Sequence, residues 1–145
     1  MGCSNGSQGF VDRSIGPRTF KGVYVLGPKL GQGSNSEVFQ AEEKKSKRKV
    51  AVKIVNTEEE QNSVLVKREL EILKTLKHPN ILSFIECFEF KDPPSVYLVF
   101  ELVEGEQLSS RIFKRSFFDE KDANRFASNL LSAVKYIHDK DIVHR

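Results

Sequence analysis

A glycine-rich turn followed by a second β segment constrains the fold of this chain more than any other feature. The stretch begins Leu-Gly-Gln-Gly-Ser-Asn-Ser-Glu-Val at residue 30 and ends Val-Ala-Val-Lys at residue 53. Gly31 and Gly33 let backbone N–H groups come close to an anion, because no Cβ stands in the way. Ser36 replaces the third glycine of the G-x-G-x-x-G pattern, so an ordinary turn with two glycines explains these residues almost as well.

The segments that flank the turn narrow the possibilities. Residues 37–43 alternate with a period of two, as a strand does, whereas a dinucleotide-binding fold requires a helix directly after the glycine turn. The chain contains no Gly-Lys-Ser/Thr triplet, which excludes a P-loop. The glycine turn is therefore predicted to join two strands of a hairpin.

A lysine in the third predicted strand and a glutamate in the following helix form the next candidate feature. Ala51, Lys53 and Val55 share one face of that strand, and a lysine in such a position commonly protects a sheet edge. Residues 61–77 have helical periodicity, and Glu69 falls within the apolar stripe of this helix. An unpaired carboxylate there is costly, so Lys53 is predicted to pair with it. The stripe comprises Leu65, Val66, Leu70, Ile72, Leu73 and Leu76.

Five motifs in order together resemble the N-lobe of a protein kinase. They are Gly31-x-Gly33-x-x-Ser36-x-Val38, Val50-Ala51-Val52-Lys53, Lys67-Arg68-Glu69-Leu70, His78-Pro79-Asn80-Ile81 and, at the end, Ile142-Val143-His144-Arg145, which resembles the start of the His-Arg-Asp motif. Each motif alone is modest, but their combined order and spacing are very specific. The sequence is most similar to the calcium- and calmodulin-dependent group of serine/threonine kinases, including calcium-dependent protein kinases.

The resemblance implies an α+β fold over residues 20–145. A five-stranded antiparallel sheet with one main helix would form the N-lobe over residues 20–100. The hinge would follow at residues 101–105, and the first helices of an incomplete helical C-lobe at residues 106–145. Residues 20–30, 83–90 and 96–100 read as further strands, and Asp119 as the N-cap of a long helix with its own apolar stripe. Residues 1–19 are predicted to be a flexible arm.

The same resemblance implies an ATP site and a role for each of its residues. Lys53 would contact the α and β phosphates, with Glu69 fixing its position, and both are the candidate catalytic residues. The other candidate ATP-binding residues are Gly31, Gly33, Ser34 and Ser36 at the phosphates, Leu30, Val38 and Ala51 as apolar walls, Phe100 at the back, Glu101 and Val103 through their backbone, and Gln107 at the ribose.

Gln107 departs from the pattern of the related kinases. Those kinases tend to carry Gly-Gly-Glu-Leu after the hinge, whereas this chain has Gly105-Glu106-Gln107-Leu108. An amide hydrogen-bonds a ribose hydroxyl, but it does not attract a substrate arginine by charge. A preference for basic substrates is therefore not implied.

Some of the residues that carry out phosphoryl transfer in protein kinases do not occur in this sequence. The aspartate of His-Arg-Asp and the Asp-Phe-Gly motif, which in kinases orients the substrate and holds Mg²⁺, do not occur in the 145 residues. No metal ligand is therefore assigned, and the resemblance covers about half of a kinase domain. One hypothesis is a serine/threonine protein kinase that, in its full-length form, transfers the γ-phosphate of ATP to a protein substrate. The alternative is a non-catalytic nucleotide-binding or decoy module at a membrane.

Charge and the N-terminus bear on partners and location. A net charge of +3 is too small to indicate nucleic acid binding. The basic run at residues 44–49 is predicted to be a solvated hairpin tip, with a nuclear signal or membrane contact as alternatives.

The start of the chain resembles a dual acylation signal, with Gly2 for myristate and Cys3 for palmitate, although Gly6 stands where Ser or Thr is expected. The predicted location is cytoplasmic, at a membrane if the arm is acylated.

Overall fold

A computed structural model of the chain describes residues 19–115 and 119–144. The predicted N-terminal arm, with Gly2 and Cys3, and the terminal Arg145 lie outside the described residues. The described elements, in chain order, are α1 Phe20–Val23, β1 Tyr24–Gln32, β2 Ser36–Glu43, β3 Lys49–Asn56, α2 Glu60–Thr75, β4 Phe84–Lys91, β5 Pro94–Glu101, α3 Leu108–Arg115 and α4 Glu120–His138.

The five strands form one antiparallel sheet in the order β1-β2-β3-β5-β4. This confirms the predicted α+β fold with its five-stranded antiparallel sheet. The glycine turn connects β1 to β2, and the Gly33 N–H donates to the Ser36 carbonyl oxygen at 2.7 Å to close it. The prediction of a hairpin rather than a strand-turn-helix unit is therefore confirmed.

The first strand begins later than the sequence predicts. Residues 20–23 were assigned to the sheet, but Phe20–Val23 forms a short helix, so that part of the prediction is wrong. The Thr19 hydroxyl accepts a hydrogen bond from the Gly22 N–H at 3.1 Å and caps this turn. Phe20 is buried, and its ring stacks on Tyr24 with 5.4 Å between centroids. The helical turn places this phenylalanine against the sheet.

Both faces of the sheet are covered, which accounts for the apolar residues on both faces of β3, where Lys53 alone interrupts the run from Val50 to Val55. On one face Val50, Val52 and Val99 pack with Phe20 and Phe88. On the other face the helix α2 covers the sheet, and the buried residues there are Val55, Val66, Leu70, Val96, Leu98 and Phe100. A strand that is buried on both sides does not alternate between apolar and polar residues.

The apolar stripe of α2 is wider than the contact it makes with the sheet. Val66 and Leu70 are buried and Leu73 packs beside them. Leu65 is 60% exposed and Ile72 is 39% exposed. The six apolar residues cover about 160° of the helix surface at 100° per residue, and the sheet covers only the half that contains Leu70.

The helix α4 contacts the end of α2 and the loop that follows α2. Asp119 caps it as predicted, because its carboxylate accepts from the Asp122 N–H at 2.6 Å. The Tyr136 hydroxyl accepts from the Lys77 N–H at 3.0 Å, and the His78 Nε2 lies 3.1 Å from the Ser132 hydroxyl. No side chain of α4, which the structure describes in full, is buried. Leu130 and Leu131 of its apolar stripe are exposed, whereas Phe126, Val134 and Ile137 are half-buried. Among the described helices, none is long and apolar enough to span a bilayer.

Candidate functional site

The structure brings Lys53 and Glu69 together. Lys53 lies in β3 and Glu69 in α2, and the Lys53 Nζ is 2.9 Å from the Glu69 Oε1. The two side chains are 32% and 41% exposed, so this ion pair retains contact with solvent. The expected desolvation of Glu69 is therefore incomplete, because Glu69 borders the half of α2 that the sheet leaves open. The lysine is fixed in position and also accessible to a ligand.

Strand pairing places Gly31 in the same row as this lysine, where a row is the set of residues that lie side by side across neighbouring strands. Gly31 pairs with Val38, and Val38 pairs with Lys53. Paired residues in adjacent strands point to the same face of a sheet, so the glycine backbone and the ammonium group share a face. Two strand spacings separate them, which is about 10 Å. This distance matches a small ligand that lies against the sheet between the two.

The two glycines of the turn differ in what surrounds them. A Cβ added at Gly33 would lie 2.9 Å from the Ser36 hydroxyl oxygen, so the Ser36 side chain would have to rotate away. A Cβ added at Gly31 would meet no atom within 4 Å. Packing within the protein therefore does not require a glycine at position 31, and the open space lies on the face of Lys53. A ligand that approaches the backbone closely would explain why position 31 is a glycine.

Gly31→Ala is expected to leave thermal unfolding almost unchanged and to weaken MgATP binding by at least about fivefold. The added methyl group has room in the protein alone, but overfilling an occupied site costs about 1–3 kcal/mol. Gly27→Ala is the contrasting variant, because its Cβ would lie 3.2 Å from the Gln40 carbonyl oxygen in the neighbouring strand. Gly27→Ala should lower the melting temperature. Equal nucleotide affinity in wild type and Gly31→Ala would contradict the ligand explanation.

The next row of the sheet supplies an apolar surface beside the lysine. Ala51 pairs with Phe100, and Phe100 pairs with Phe84. Phe100 is buried and contacts the Phe84 ring edge-on at 5.8 Å between centroids. Val38 and Ala51 are half-buried on this face, whereas the side chain of Leu30 is exposed. The predicted wall residues Val38 and Ala51 thus line the face that carries Lys53.

The predicted hinge begins with a residue that is anchored at two points. The Glu101 N–H donates to the Ser83 carbonyl oxygen at 3.0 Å, and the Glu101 carboxylate accepts from the Ser83 N–H at 2.8 Å. The latter hydrogen bond holds the pKa of the Glu101 carboxyl below its ordinary value. Since the Glu101 N–H is engaged, a ligand contact from this backbone must use its carbonyl oxygen. Val103, two residues on, is exposed.

Gln107 lies at the start of α3. Its carbonyl oxygen accepts from the Arg111 N–H at 3.1 Å, and its side chain is exposed. The neighbouring Glu106 is paired with Lys114, with 2.5 Å between Oε2 and Nζ. The acid beside Gln107 is therefore locally neutralised by a lysine.

Sequence reasoning missed three contacts that shape the site. Ser83 anchors the hinge, and no motif marks this serine as a partner of Glu101. At the tip of the glycine turn, Asn35 donates to Asn62 of α2 at 3.3 Å. The Asn35 carbonyl oxygen also accepts from the Asn56 N–H at 3.2 Å. These residues are polar and far apart in sequence, so no periodic pattern could have paired them.

The described residues do not form a metal centre by themselves. Within residues 19–115 and 119–144, no group of three or more His, Cys, Asp or Glu side chains is placed to hold a metal ion. The Lys53 ammonium is partly exposed on the face of the sheet that also carries Gly31, and its positive charge fits an anionic ligand there.

Comparison with known proteins identifies the family. A model of the protein kinase domain matches residues 24–145. Serine/threonine-protein kinase 33 of Mus musculus is 41% identical over 124 residues, which are 84% of this chain and 25% of that protein. Myosin light chain kinase A of Dictyostelium discoideum is 38% identical over 128 residues, 85% of this chain and 42% of that protein. Calcium/calmodulin-dependent protein kinase type 1B of Rattus norvegicus is 39% identical over 124 residues, which are 85% of this chain and 36% of that protein.

The chain belongs to the protein kinase family. The kinases that it resembles are serine/threonine kinases and fit the calcium/calmodulin-dependent group, as the sequence predicts. The chain spans between a quarter and about two fifths of the length of these three relatives.

Proposed function

We propose that this chain is the ATP-binding part of a serine/threonine protein kinase, whose full-length form transfers the γ-phosphate of ATP to protein hydroxyl groups. The observation that carries the proposal is the ion pair between Lys53 and Glu69, at 2.9 Å, in the same row of the sheet as Gly31. If the ion pair only stabilised the fold, nothing would require the uncrowded glycine at position 31 on the same face of the sheet.

The phosphate end of the site consists of the Lys53 ammonium and the glycine turn. A lysine ammonium has three N–H donors, and Glu69 accepts from one of them. The remaining donors can bind phosphate oxygens through charge-assisted hydrogen bonds. Backbone N–H groups of Gly33 and Ser34 lie in the turn, although the Gly33 N–H is engaged with Ser36. This turn must therefore open slightly before Gly33 can donate to a phosphate.

The adenine end consists of the apolar row and the hinge. The ring would lie against Val38 and Ala51, with Phe100 limiting the depth of the pocket. The Glu101 carbonyl oxygen and the Val103 N–H provide an acceptor and a donor for the edge of the base. Bound Mg²⁺ would neutralise charge on the phosphates, and the residues of this chain contribute binding and orientation.

A second candidate function is a non-catalytic nucleotide-binding or decoy module. The apolar surface of the helices favours it, since Phe113 of α3 is 92% exposed and Leu131 of α4 is 66% exposed. Exposed apolar side chains of this size mark surfaces that are covered by further protein. In the kinase proposal that protein is the remainder of a C-lobe, and in the alternative it is another molecule.

The nucleotide sequence of the transcript beyond codon 145 separates the two functions. A continuation that encodes Asp-Leu-Lys-Pro and, later, Asp-Phe-Gly would support the kinase proposal. Phosphoryl transfer by the longer product to a protein substrate would then test it directly. A stop codon immediately after codon 145 would contradict the kinase proposal and leave the binding module as the function.

A further inference from the structure

One end of the sheet carries a concentration of positive charge that the nucleotide site does not use. We call this surface the basic end. It contains six exposed residues from α1, from the turn between β2 and β3 and from the first position of β3, namely Lys21, Lys44, Lys45, Lys47, Arg48 and Lys49. Two acids, Glu42 and Glu43, belong to the same surface, and the Glu42 Oε1 lies 3.2 Å from the Lys47 Nζ.

The basic end accounts for the positive charge of the whole chain. The chain has 23 Lys and Arg residues and 20 Asp and Glu residues. Six of these bases and two of these acids belong to the basic end. The remaining 17 bases and 18 acids almost cancel. The charge is therefore localised on one surface, whereas charged residues that serve only solubility are spread over a protein.

Hydrogen bonds fix the turn to the helix at which the chain enters the fold. The Lys44 N–H donates to the Val23 carbonyl oxygen at 2.8 Å, and the Lys44 Nζ donates to the Lys21 carbonyl oxygen at 2.6 Å. Thr19 caps this helix directly before Phe20. Gly2 and Cys3 of the acylation motif precede Thr19 in the sequence by 17 and 16 residues.

We propose that the basic end is a docking surface for an anionic lipid bilayer, which works together with acylation at Gly2 and Cys3. A single myristoyl chain gives only marginal membrane binding, and a basic patch is one of the second signals that make an anchor stable. Basic clusters are attracted to anionic lipids of the cytoplasmic leaflet. Eighteen residues reach at most about 60 Å, so an acyl chain on Gly2 can enter the membrane that the basic end contacts.

The composition of the basic end favours lipid over nucleic acid. Single-stranded nucleic acids bind to surfaces where exposed aromatic rings stack on the bases. In the part of the chain that the structure describes, Phe20 of α1 and Tyr24 of β1, which adjoin the basic end, are buried in the core and do not present their rings. Lysine also predominates over arginine here, five to one, whereas arginine gives the bidentate contacts that read bases.

Docking through the basic end leaves the phosphate end of the nucleotide site open, whereas the hinge lies beside the basic end, because Val50 pairs with Glu101. The basic turn and the glycine turn lie at opposite ends of β2, which has eight residues and spans about 25 Å. The proposal does not depend on nucleotide binding. Its failure would therefore say nothing about Lys53, and a failure of ATP binding would not affect it.

Vesicle binding by the unmodified chain tests the basic end without the acyl groups. The variant Lys45→Gln with Lys47→Gln and Lys49→Gln removes three charges from the basic end and keeps Lys44, which holds the turn to α1. The matched control, Lys67→Gln with Lys77→Gln and Lys121→Gln, removes three exposed charges elsewhere. Circular dichroism should show the same folded content for all three proteins.

Wild type and control should bind vesicles that contain about 30% phosphatidylserine, and neither should bind pure phosphatidylcholine. The turn variant should bind the anionic vesicles at least about tenfold more weakly, and salt should weaken all binding. Equal losses in the two variants, or equal binding to neutral vesicles, would overturn the proposal. Tighter binding of a single-stranded oligonucleotide than of anionic vesicles would also overturn it.

Discussion

Lys53→Met is expected to reduce MgATP affinity by at least about 30-fold without unfolding the sheet. The substitution removes the charged donor for the phosphates and leaves Glu69 without the ion pair recorded at 2.9 Å. Loss of one partner of a hydrogen-bonded charge pair in a binding site costs about 2–5 kcal/mol of binding free energy. The stability cost should be below about 1 kcal/mol, because the pair is partly exposed and solvent screens it.

Lys49→Met is the matched control for this prediction. Lys49 lies four residues earlier in β3, on the same face of the strand, and it is exposed. It has the same charge but pairs with Glu42 across the strands, away from α2. Isothermal titration calorimetry should give wild-type affinity for Lys49→Met. Wild-type affinity in Lys53→Met, or an equal loss in both variants, would exclude the proposed role of Lys53.

Leu70→Ala is expected to have the largest effect on stability, a loss of about 2–5 kcal/mol in the free energy of unfolding. Leu70 is fully buried between α2 and the sheet, where it packs with Leu98 and Phe100. Truncation of a buried leucine loses its transfer free energy and leaves a cavity. Chemical denaturation followed by circular dichroism measures this loss. Because α2 carries Glu69, the variant should also weaken nucleotide binding.

Leu65→Ala is the control on the same helix. Leu65 is 60% exposed, so its truncation should change the free energy of unfolding by no more than about 0.5 kcal/mol. Comparable losses for Leu65→Ala and Leu70→Ala would mean that α2 packs with a different face than the one described. In that case the geometry of the Lys53 and Glu69 pair would also be wrong.

The elements with strong local signals could be predicted from the sequence. The hairpin at the glycine turn follows from the period-two pattern after it, and the cap at Asp119 from its side chain and the helical pattern that begins there. The partner of Lys53 could also be predicted, because a carboxylate within an apolar stripe requires a cation.

Features that depend on tertiary contacts could not be predicted in this way. The apolar stripe of α2 does not indicate that Leu70 is covered while Leu65 is open, since both belong to one continuous helix face. The double anchor of Glu101 on Ser83 joins residues 18 positions apart. Ser83 contributes only its backbone N–H and carbonyl oxygen, which every residue except proline carries, so its side chain gives no signal. The short helix at Phe20 depends on a Thr19 cap that precedes only four residues.

The central claim is that the N-lobe binds ATP through the row of residues that contains Gly31 and Lys53. The most direct test is a thermal-shift titration of the purified 145-residue chain with MgATP. A ligand that binds only the folded state raises the melting temperature by mass action. We expect a concentration-dependent rise, of about 5 °C at ten times the dissociation constant, that is lost in Lys53→Met. A cooperative melt that does not move with MgATP up to millimolar concentrations would contradict the claim.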